Sequence, residues 1–124
     1  FRSYATGKAS AKSQAMEMYN GTYTGQFDDR NSTMTLTTDT IDGKYVVTGE
    51  MTINYRHPLN HQLKGTLDPE HPEKLKLNVV KADGTVDHYI TYTIGKAKDA
   101  DDTIEGSYAN NHKGSSYTYK LTKK

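Results

Sequence analysis

The sequence predicts an all-β fold, a single eight-stranded antiparallel up-and-down meander closed into a small barrel. Its longest run of strict alternation, residues 44–55, has an apolar residue or glycine at every second position, which is typical of a strand with one buried face. Tyrosine is abundant, with 10 residues, and tryptophan is absent; tyrosine and threonine favour half-buried pleated surfaces. The connections between alternating runs are too short for crossover helices, so we expect neighbouring strands to be antiparallel.

The alternating runs give the strands in chain order. Asp42-Gly43 and Asp83-Gly84 are compact turn signals, because a type I′ turn needs positive φ at both central residues. Pro58 has no backbone donor, so residues 56–61 are predicted to break the meander after the third strand. The predicted strands cover residues 19–27, 33–41, 44–55, 62–67, 74–79, 86–94, 104–108 and 117–121.

Closure into a barrel is expected from the sheet edges and the glycines. An open meander of eight strands would expose two unpaired edges and leave half of its apolar face uncovered. Glycines on the inward face let a sheet curl sharply. In the alternative, a two-sheet sandwich, the same glycines only make space. The inward glycines in this register are Gly21, Gly25, Gly49, Gly65 and Gly106.

The first 18 residues differ from the remainder of the chain. They are rich in alanine, serine and lysine and lack alternation, so residues 1–18 are predicted to be a short helix or a flexible tether before a barrel domain at 19–124. The chain begins at Phe1 rather than methionine. We therefore expect a processed product with an extracytoplasmic location (secreted, periplasmic or lipid-anchored), of bacterial type.

The composition excludes several classes of function. The 16 lysines and arginines nearly balance the 15 acidic residues, so no nucleic-acid partner is predicted. The absence of cysteine excludes disulfides and thiolate metal sites. No apolar run approaches the ~20 residues of a transmembrane helix. No motif indicates a cofactor, a nucleophile elbow or a phosphate loop.

The first predicted strand carries a Gly-x-aromatic pattern, Gly21-Thr22-Tyr23. On an eight-stranded meander, this pattern resembles the calycin-type barrels: lipocalins, fatty-acid-binding proteins and the avidin/streptavidin group. The resemblance implies a barrel with an internal cup. The sequence departs from lipocalins, which usually place tryptophan at the position of Tyr23 and an arginine where Lys120 is the nearest basic residue. The biotin-binding tryptophans of the avidin group have no counterpart, so the resemblance implies no particular ligand.

The predicted interior is unusually polar. Buried tyrosine hydroxyls and a buried imidazole need hydrogen-bond partners, and aromatic walls with a few polar groups are typical of small-molecule sites. The alternative is a packed core with the hydroxyls reaching the barrel ends, in which the histidine is a hydrogen-bonded core residue. The predicted ligand-binding residues are Tyr23, Tyr45, His88, Tyr92, Tyr108 and Tyr117.

One end of the predicted barrel gathers histidines and carboxylates. Imidazole and carboxylate groups are suitable ligands for zinc, which makes His57, His61 and His112 weak metal candidates, with Asp28 and Asp29 on the same rim. Solvated loop histidines are the alternative interpretation, because Pro58 keeps His57 and His61 off a common helix face.

Three hypotheses for function follow. The first is a non-enzymatic binding protein that holds a small hydrophobic or aromatic ligand in the tyrosine-lined interior. The second is a protein-interaction module, such as an inhibitor or cell-surface domain, with a filled core and a protein partner at a rim carrying His57, Asn60 and Asn111. The third is a small barrel enzyme that uses His88 and a tyrosine as an acid–base pair.

Overall fold

A computed structural model describes residues 17–27, 29–97 and 100–124. These residues form an all-β structure of eight antiparallel strands, as the alternation predicts. The predicted helix or tether at residues 1–18 falls almost entirely outside the described residues. The strands are β1 (Gly21–Phe27), β2 (Arg30–Ile41), β3 (Lys44–Ile53), β4 (Leu59–Leu67), β5 (Leu75–Val80), β6 (Val86–Ala97), β7 (Ala100–Asn110) and β8 (Ser115–Lys123).

Each strand pairs with the next in sequence, and β1 also pairs with β8, which closes the barrel. The closing ladder runs from Tyr23 opposite Lys123 to Phe27 opposite Tyr119. The predicted hairpin turn joins β2 to β3, with φ of 52° at Asp42 and 76° at Gly43. Positive φ at both residues is what a type I′ turn requires. The sequence therefore predicts this turn correctly.

The buried side chains alternate along each strand and fill the interior. β2, for example, buries Met34, Leu36 and Thr38 between exposed or half-buried neighbours. The hydrophobic core cluster consists of Tyr19, Tyr23, Phe27, Met34, Leu36, Val47, Met51, Ile53, Leu63, Leu67, Leu75, Leu77, Val79, Tyr92, Ile94, Ile104, Tyr108, Tyr119 and Leu121.

Every strand differs from the sequence prediction at one end or both, and the starts of β4 and β1 are the two differences with a clear structural reason. β4 begins at Leu59 rather than at residue 62, because Pro58 lies just before the ladder and its missing N–H interrupts no strand pairing. β1 begins at Gly21 rather than at residue 19. Residues 17–20 instead form a turn, closed by a hydrogen bond from Asn20 N to Glu17 O at 3.2 Å.

The two ends of the barrel differ. At the plugged end, Tyr19 is fully buried, and its hydroxyl donates to the Pro72 carbonyl at 2.5 Å. The Tyr23 hydroxyl donates to the Tyr19 carbonyl at 3.0 Å and so ties this turn to β1. The opposite end, here called the mouth, carries the turns that follow β1, β3, β5 and β7. No helix in the described part of the chain has the length and apolarity needed to cross a membrane.

The close approach of a neighbouring strand explains why two of the inward positions are occupied by glycine. A Cβ built on Gly106 would lie 1.7 Å from the Thr93 carbonyl oxygen on β6. A Cβ on Gly65 would lie 2.2 Å from the Lys76 carbonyl oxygen on β5. Both obstacles are backbone atoms, which a rotamer change cannot remove. These glycines therefore permit the tight curl of the closed sheet.

We predict that Gly106→Ala strongly destabilises the barrel, by about 3 kcal/mol as for an overpacked core, because the methyl group would overlap the backbone of β6. Gly95→Ala is the matched control, since its Cβ would meet the Glu73 carbonyl oxygen at an ordinary 3.5 Å. Urea unfolding of both variants measures the difference. Equal stability of the two variants would show that the close approach at Gly106 is not a constraint.

Candidate functional site

A cleft of about 220 Å³ opens at the mouth of the barrel. Its walls are mainly aromatic and aliphatic, and its polar groups come from the last turn of the meander and the residues beside it. This mouth cleft is smaller than the roughly 300 Å³ at which drug-sized pockets begin, so it suits a molecule with a single ring. Its lining residues are Phe27, Ile53, Tyr55, Leu59, Tyr108, Asn110, Lys113, Ser115 and Tyr117.

Phe27 lies at the centre of the aromatic wall. Its ring is 5.3 Å from Tyr108 and 5.6 Å from Tyr117, both in edge-to-face geometry. Tyr108 and Tyr117 are stacked on neighbouring strands, with their ring centroids 6.1 Å apart. These arrangements are favourable for aromatic pairs. Tyr117 remains 37% exposed and so presents ring surface to solvent.

His61 lies beneath this wall and is the polar group that the sequence analysis misplaced. Its Nδ1 is hydrogen-bonded to the Tyr92 hydroxyl at 2.8 Å, and its ring stacks on Tyr108 at 6.4 Å. Burial lowers the pKa of His61 below its ordinary 6.5, because a charged imidazole loses hydration there. Alternation through Leu63 predicts the inward position once the strand is extended back to Leu59.

Tyr19, Tyr92 and Tyr119 are held in the neutral form. Burial raises the pKa of Tyr92 and of Tyr119 far above the usual value, and it raises the pKa of Tyr19 to about 12. The Tyr119 hydroxyl donates to the Thr93 carbonyl at 2.9 Å. These phenols therefore act as hydrogen-bonding groups of the core rather than as proton donors near neutral pH.

Asn110 connects the mouth cleft to the turn between β7 and β8. Its Nδ2 donates to the Tyr108 hydroxyl at 3.1 Å, while its Oδ1 accepts from the backbone N–H groups of His112 and Lys113 at 3.0 and 3.3 Å. A side chain that binds the backbone two and three residues ahead fixes a turn. Asn110 thus holds Lys113 at the cleft.

The same turn is anchored to β6. His112 Nε2 lies 2.9 Å from Asp87 Oδ2, and Asn111 N donates to the Tyr89 carbonyl at 2.8 Å. The hydrogen bond from His112 holds the pKa of the Asp87 carboxyl below its ordinary 3.8, with the Tyr89 N–H as a further donor. The Asp87–His112 pair accordingly stabilises the turn from outside the cleft.

The structure separates the six predicted ligand-binding residues. Tyr108 and Tyr117 line the mouth cleft, and Tyr92 is fully buried beneath it, 5.0 Å from the Tyr108 ring. Tyr23 is buried towards the plugged end. Tyr45 is half-buried in a different cleft, of about 500 Å³, beside the turns after β2 and β4.

The predicted inward position of His88 is wrong. His88 is exposed, because the alternation of β6 is broken by an irregularity in its pairing with β5. Val79 pairs with Asp87 and the preceding Asn78 pairs with Thr91, so residues 88–90 have no register partner on β5, although Asn78 Nδ2 donates to the Ile90 carbonyl at 3.1 Å. Asp87 Oδ1 accepts from Tyr89 N at 3.0 Å and turns the chain outward at this point.

The three weak metal candidates do not converge. His61 turns into the barrel, His112 binds Asp87, and His57 is exposed on the turn after β3. In residues 17–27, 29–97 and 100–124, no three side chains of the metal-ligating types are grouped around a common point. Asp28, the further candidate on this rim, lies outside the described residues.

Comparison of the chain with models of protein families, with curated proteins and with solved structures finds no significant match. The architecture, a closed antiparallel barrel of eight strands, is consistent with a calycin-like barrel.

We predict that the neutral, half-buried His61 makes the protein less stable in mild acid. Its folded-state pKa is lowered, so the unfolded chain binds the proton more readily, and stability falls as pH decreases below 6.5. The free energy of unfolding, measured with urea at about pH 7.5 and about pH 5.5, should change less between the two pH values for His61→Gln than for the wild type. Exposed His57→Gln should retain the wild-type difference. An unchanged difference in His61→Gln would contradict this assignment.

We also predict that Asp87→Asn destabilises the protein only while the carboxylate is ionised. The pKa of Asp87 is lowered in the fold, so its contribution is complete above 3.8 and is lost as pH falls through the folded-state value. Chemical unfolding at about pH 6 should distinguish the variant from wild type, and the difference in their free energies of unfolding should shrink as pH falls below 3.8. Asp39→Asn, on the exposed outer side of β2, should match wild type at both values. If the difference in the free energy of unfolding does not shrink as pH falls, the charge of Asp87 is not the cause of the destabilisation.

Proposed function

We propose that this chain is a non-enzymatic, calycin-like binding protein that holds a small apolar or aromatic molecule at the mouth of its barrel. The observation that carries the proposal is the mouth cleft, where Phe27, Tyr108 and Tyr117 form a preformed aromatic wall around about 220 Å³. Concave sites with aromatic walls and a few fixed polar groups are typical of small-molecule recognition.

The site differs from the deep cup that a calycin-type resemblance implies. The plugged end is occupied by Tyr19, and the hydrophobic core occupies the middle of the barrel. Eight strands enclose an interior only just wide enough to be filled by side chains. Space for a ligand therefore lies above Tyr92 and Tyr108 rather than between all the strands.

The contacts around the cleft favour binding over catalysis. The His61–Tyr92 pair lies under the rings of the cleft and is not among its lining residues. The Asp87–His112 pair serves to fix a turn. The third hypothesis, an enzyme, relied on an inward His88, and that side chain is exposed on the outside of β6.

A protein-interaction module is the second candidate, and Tyr89 favours it. This side chain is 60% exposed, with its ring 4.8 Å from His112 on the outside of the mouth. Tyrosine is enriched among the residues that dominate protein interfaces. Of the predicted rim residues, His57 and Asn111 are exposed on mouth turns, while Asn60 is on the outer face of β4, bonded to Glu50.

We predict that single-ring molecules bind at the mouth cleft. The protein should be titrated with p-cresol, phenylacetate and phenethylamine, each to about 5 mM, a range that detects millimolar affinity. In amide NMR spectra of isotopically labelled protein, at least one probe should shift the signals of residues 113–117. Tyr117→Leu should lower the affinity for that probe about fivefold or more, as expected for the loss of an aromatic contact of about 1 kcal/mol.

Tyr89→Leu is the matched control, because it removes an exposed tyrosine outside the cleft. It should leave the affinity of the probe unchanged. If no probe shifts the mouth signals, or if the two variants weaken binding equally, the small-molecule site is wrong and the protein-interaction candidate takes its place.

A further inference from the structure

The polar groups of the mouth cleft share one property: they can donate hydrogen bonds. The Tyr108 hydroxyl accepts from Asn110 Nδ2 at 3.1 Å, which leaves its own hydrogen to donate. Within the described chain, the hydroxyls of Tyr108, Tyr117 and Ser115 donate to no protein acceptor. Asn110 Oδ1, by contrast, already accepts hydrogen bonds from two backbone N–H groups.

The charges around the cleft also favour a ligand that accepts hydrogen bonds. Among the described residues, Lys113 is the one charged side chain in the lining, and no described carboxylate forms a salt bridge with it. A second cation lies at the margin, where the Arg30 guanidinium is 5.4 Å from the centroid of the Tyr55 ring. Of the described carboxylates at this end, Asp29 and Asp83 lie on other turns, and Asp87, on β6, is bound by His112.

Lys113 is held in place by the fold. Asn110 fixes the turn from the cleft side through the N–H groups of His112 and Lys113. The His112–Asp87 pair and the bond from Asn111 to Tyr89 fix it from the outside. A turn restrained on both sides keeps the backbone of Lys113 beside the cleft, so that only the rotamers of its side chain have to be ordered when the ammonium pairs with an anion.

From these observations we infer that the ligand of the mouth cleft is a single-ring aromatic carboxylate. The ring lies against Phe27 and Tyr117, and the carboxylate takes the Lys113 ammonium and the Tyr108 hydroxyl as donors. An anion is the complement of a site that offers a cation and several O–H groups and that has no carboxylate among its described lining residues. This inference rests on the proposed function and specifies the chemical class of its ligand.

The test compares three probes that share one ring and differ in charge: phenylacetate, its neutral isostere phenylacetamide, and the cation phenethylamine. Affinities are measured from amide NMR shifts of residues 113–117 in the full-length protein near neutral pH. Phenylacetate should bind at least about tenfold more tightly than phenylacetamide, as expected for charge-assisted hydrogen bonds. Phenethylamine should bind most weakly, and added salt should narrow the difference.

Lys113→Gln removes the charge from an exposed turn and keeps much of the side-chain length. It should lower the affinity for phenylacetate to that for phenylacetamide and leave the amide unaffected. Lys81→Gln is the matched control, because Lys81 is an exposed residue of the neighbouring turn and not part of the cleft lining. It should keep the wild-type preference.

The outcomes separate this inference from the function on which it rests. The inference that the ligand is a carboxylate is wrong if phenylacetate and phenylacetamide bind equally well. It is also wrong if Lys113→Gln keeps the wild-type preference for phenylacetate. In both cases the site is one for neutral aromatic molecules. A stronger response to phenethylamine also overturns the inference. If no probe shifts residues 113–117, both the inference and the small-molecule function are wrong.

Discussion

The pairing of β1 with β8 is the constraint on which the remainder of the structure depends. It joins the two ends of the meander, from Tyr23–Lys123 to Phe27–Tyr119, and removes both sheet edges. A closed sheet of eight strands must curl tightly, and the backbone crowding at Gly65 and Gly106 is the local consequence. Closure also encloses the inward side chains, so their buried hydroxyls either find partners within the barrel or, like Thr38 Oγ1, have none.

The tyrosines find these partners mainly among backbone carbonyls. Tyr19 donates to Pro72, Tyr23 to the Tyr19 carbonyl, and Tyr119 to Thr93, all in or towards the plugged half of the barrel. Tyr92 instead pairs with the side chain of His61, directly below the mouth. A buried phenol without a partner would cost the desolvation of its hydroxyl, and these bonds avoid that cost.

The two ends of the barrel differ in whether their polar groups have protein partners, and this difference is the basis for placing the proposed ligand at the mouth. The plugged end uses its polar groups to hold a turn across the opening, whereas the mouth leaves hydroxyls and the Lys113 ammonium without protein partners among the described residues. Because side chains fill the middle of the barrel, the ligand that we propose would lie in the shallow space at the mouth. The aromatic wall there rests on a rigid core, which is a favourable base for a small preformed site.

The sequence alone determined the strand number, their order, the antiparallel pairing and the Asp42-Gly43 turn, because period-two burial and turn chemistry are local properties. It also predicted that the side chains of Tyr108 and Tyr117 share the inward face, because both lie on regularly paired strands. Only the tertiary structure decided which histidine enters the barrel. His88 lies in a pairing irregularity set by β5, and His61 turns inward because β4 starts directly after Pro58. Such shifts depend on the partner strand, and a shift of one residue reverses every side chain that follows.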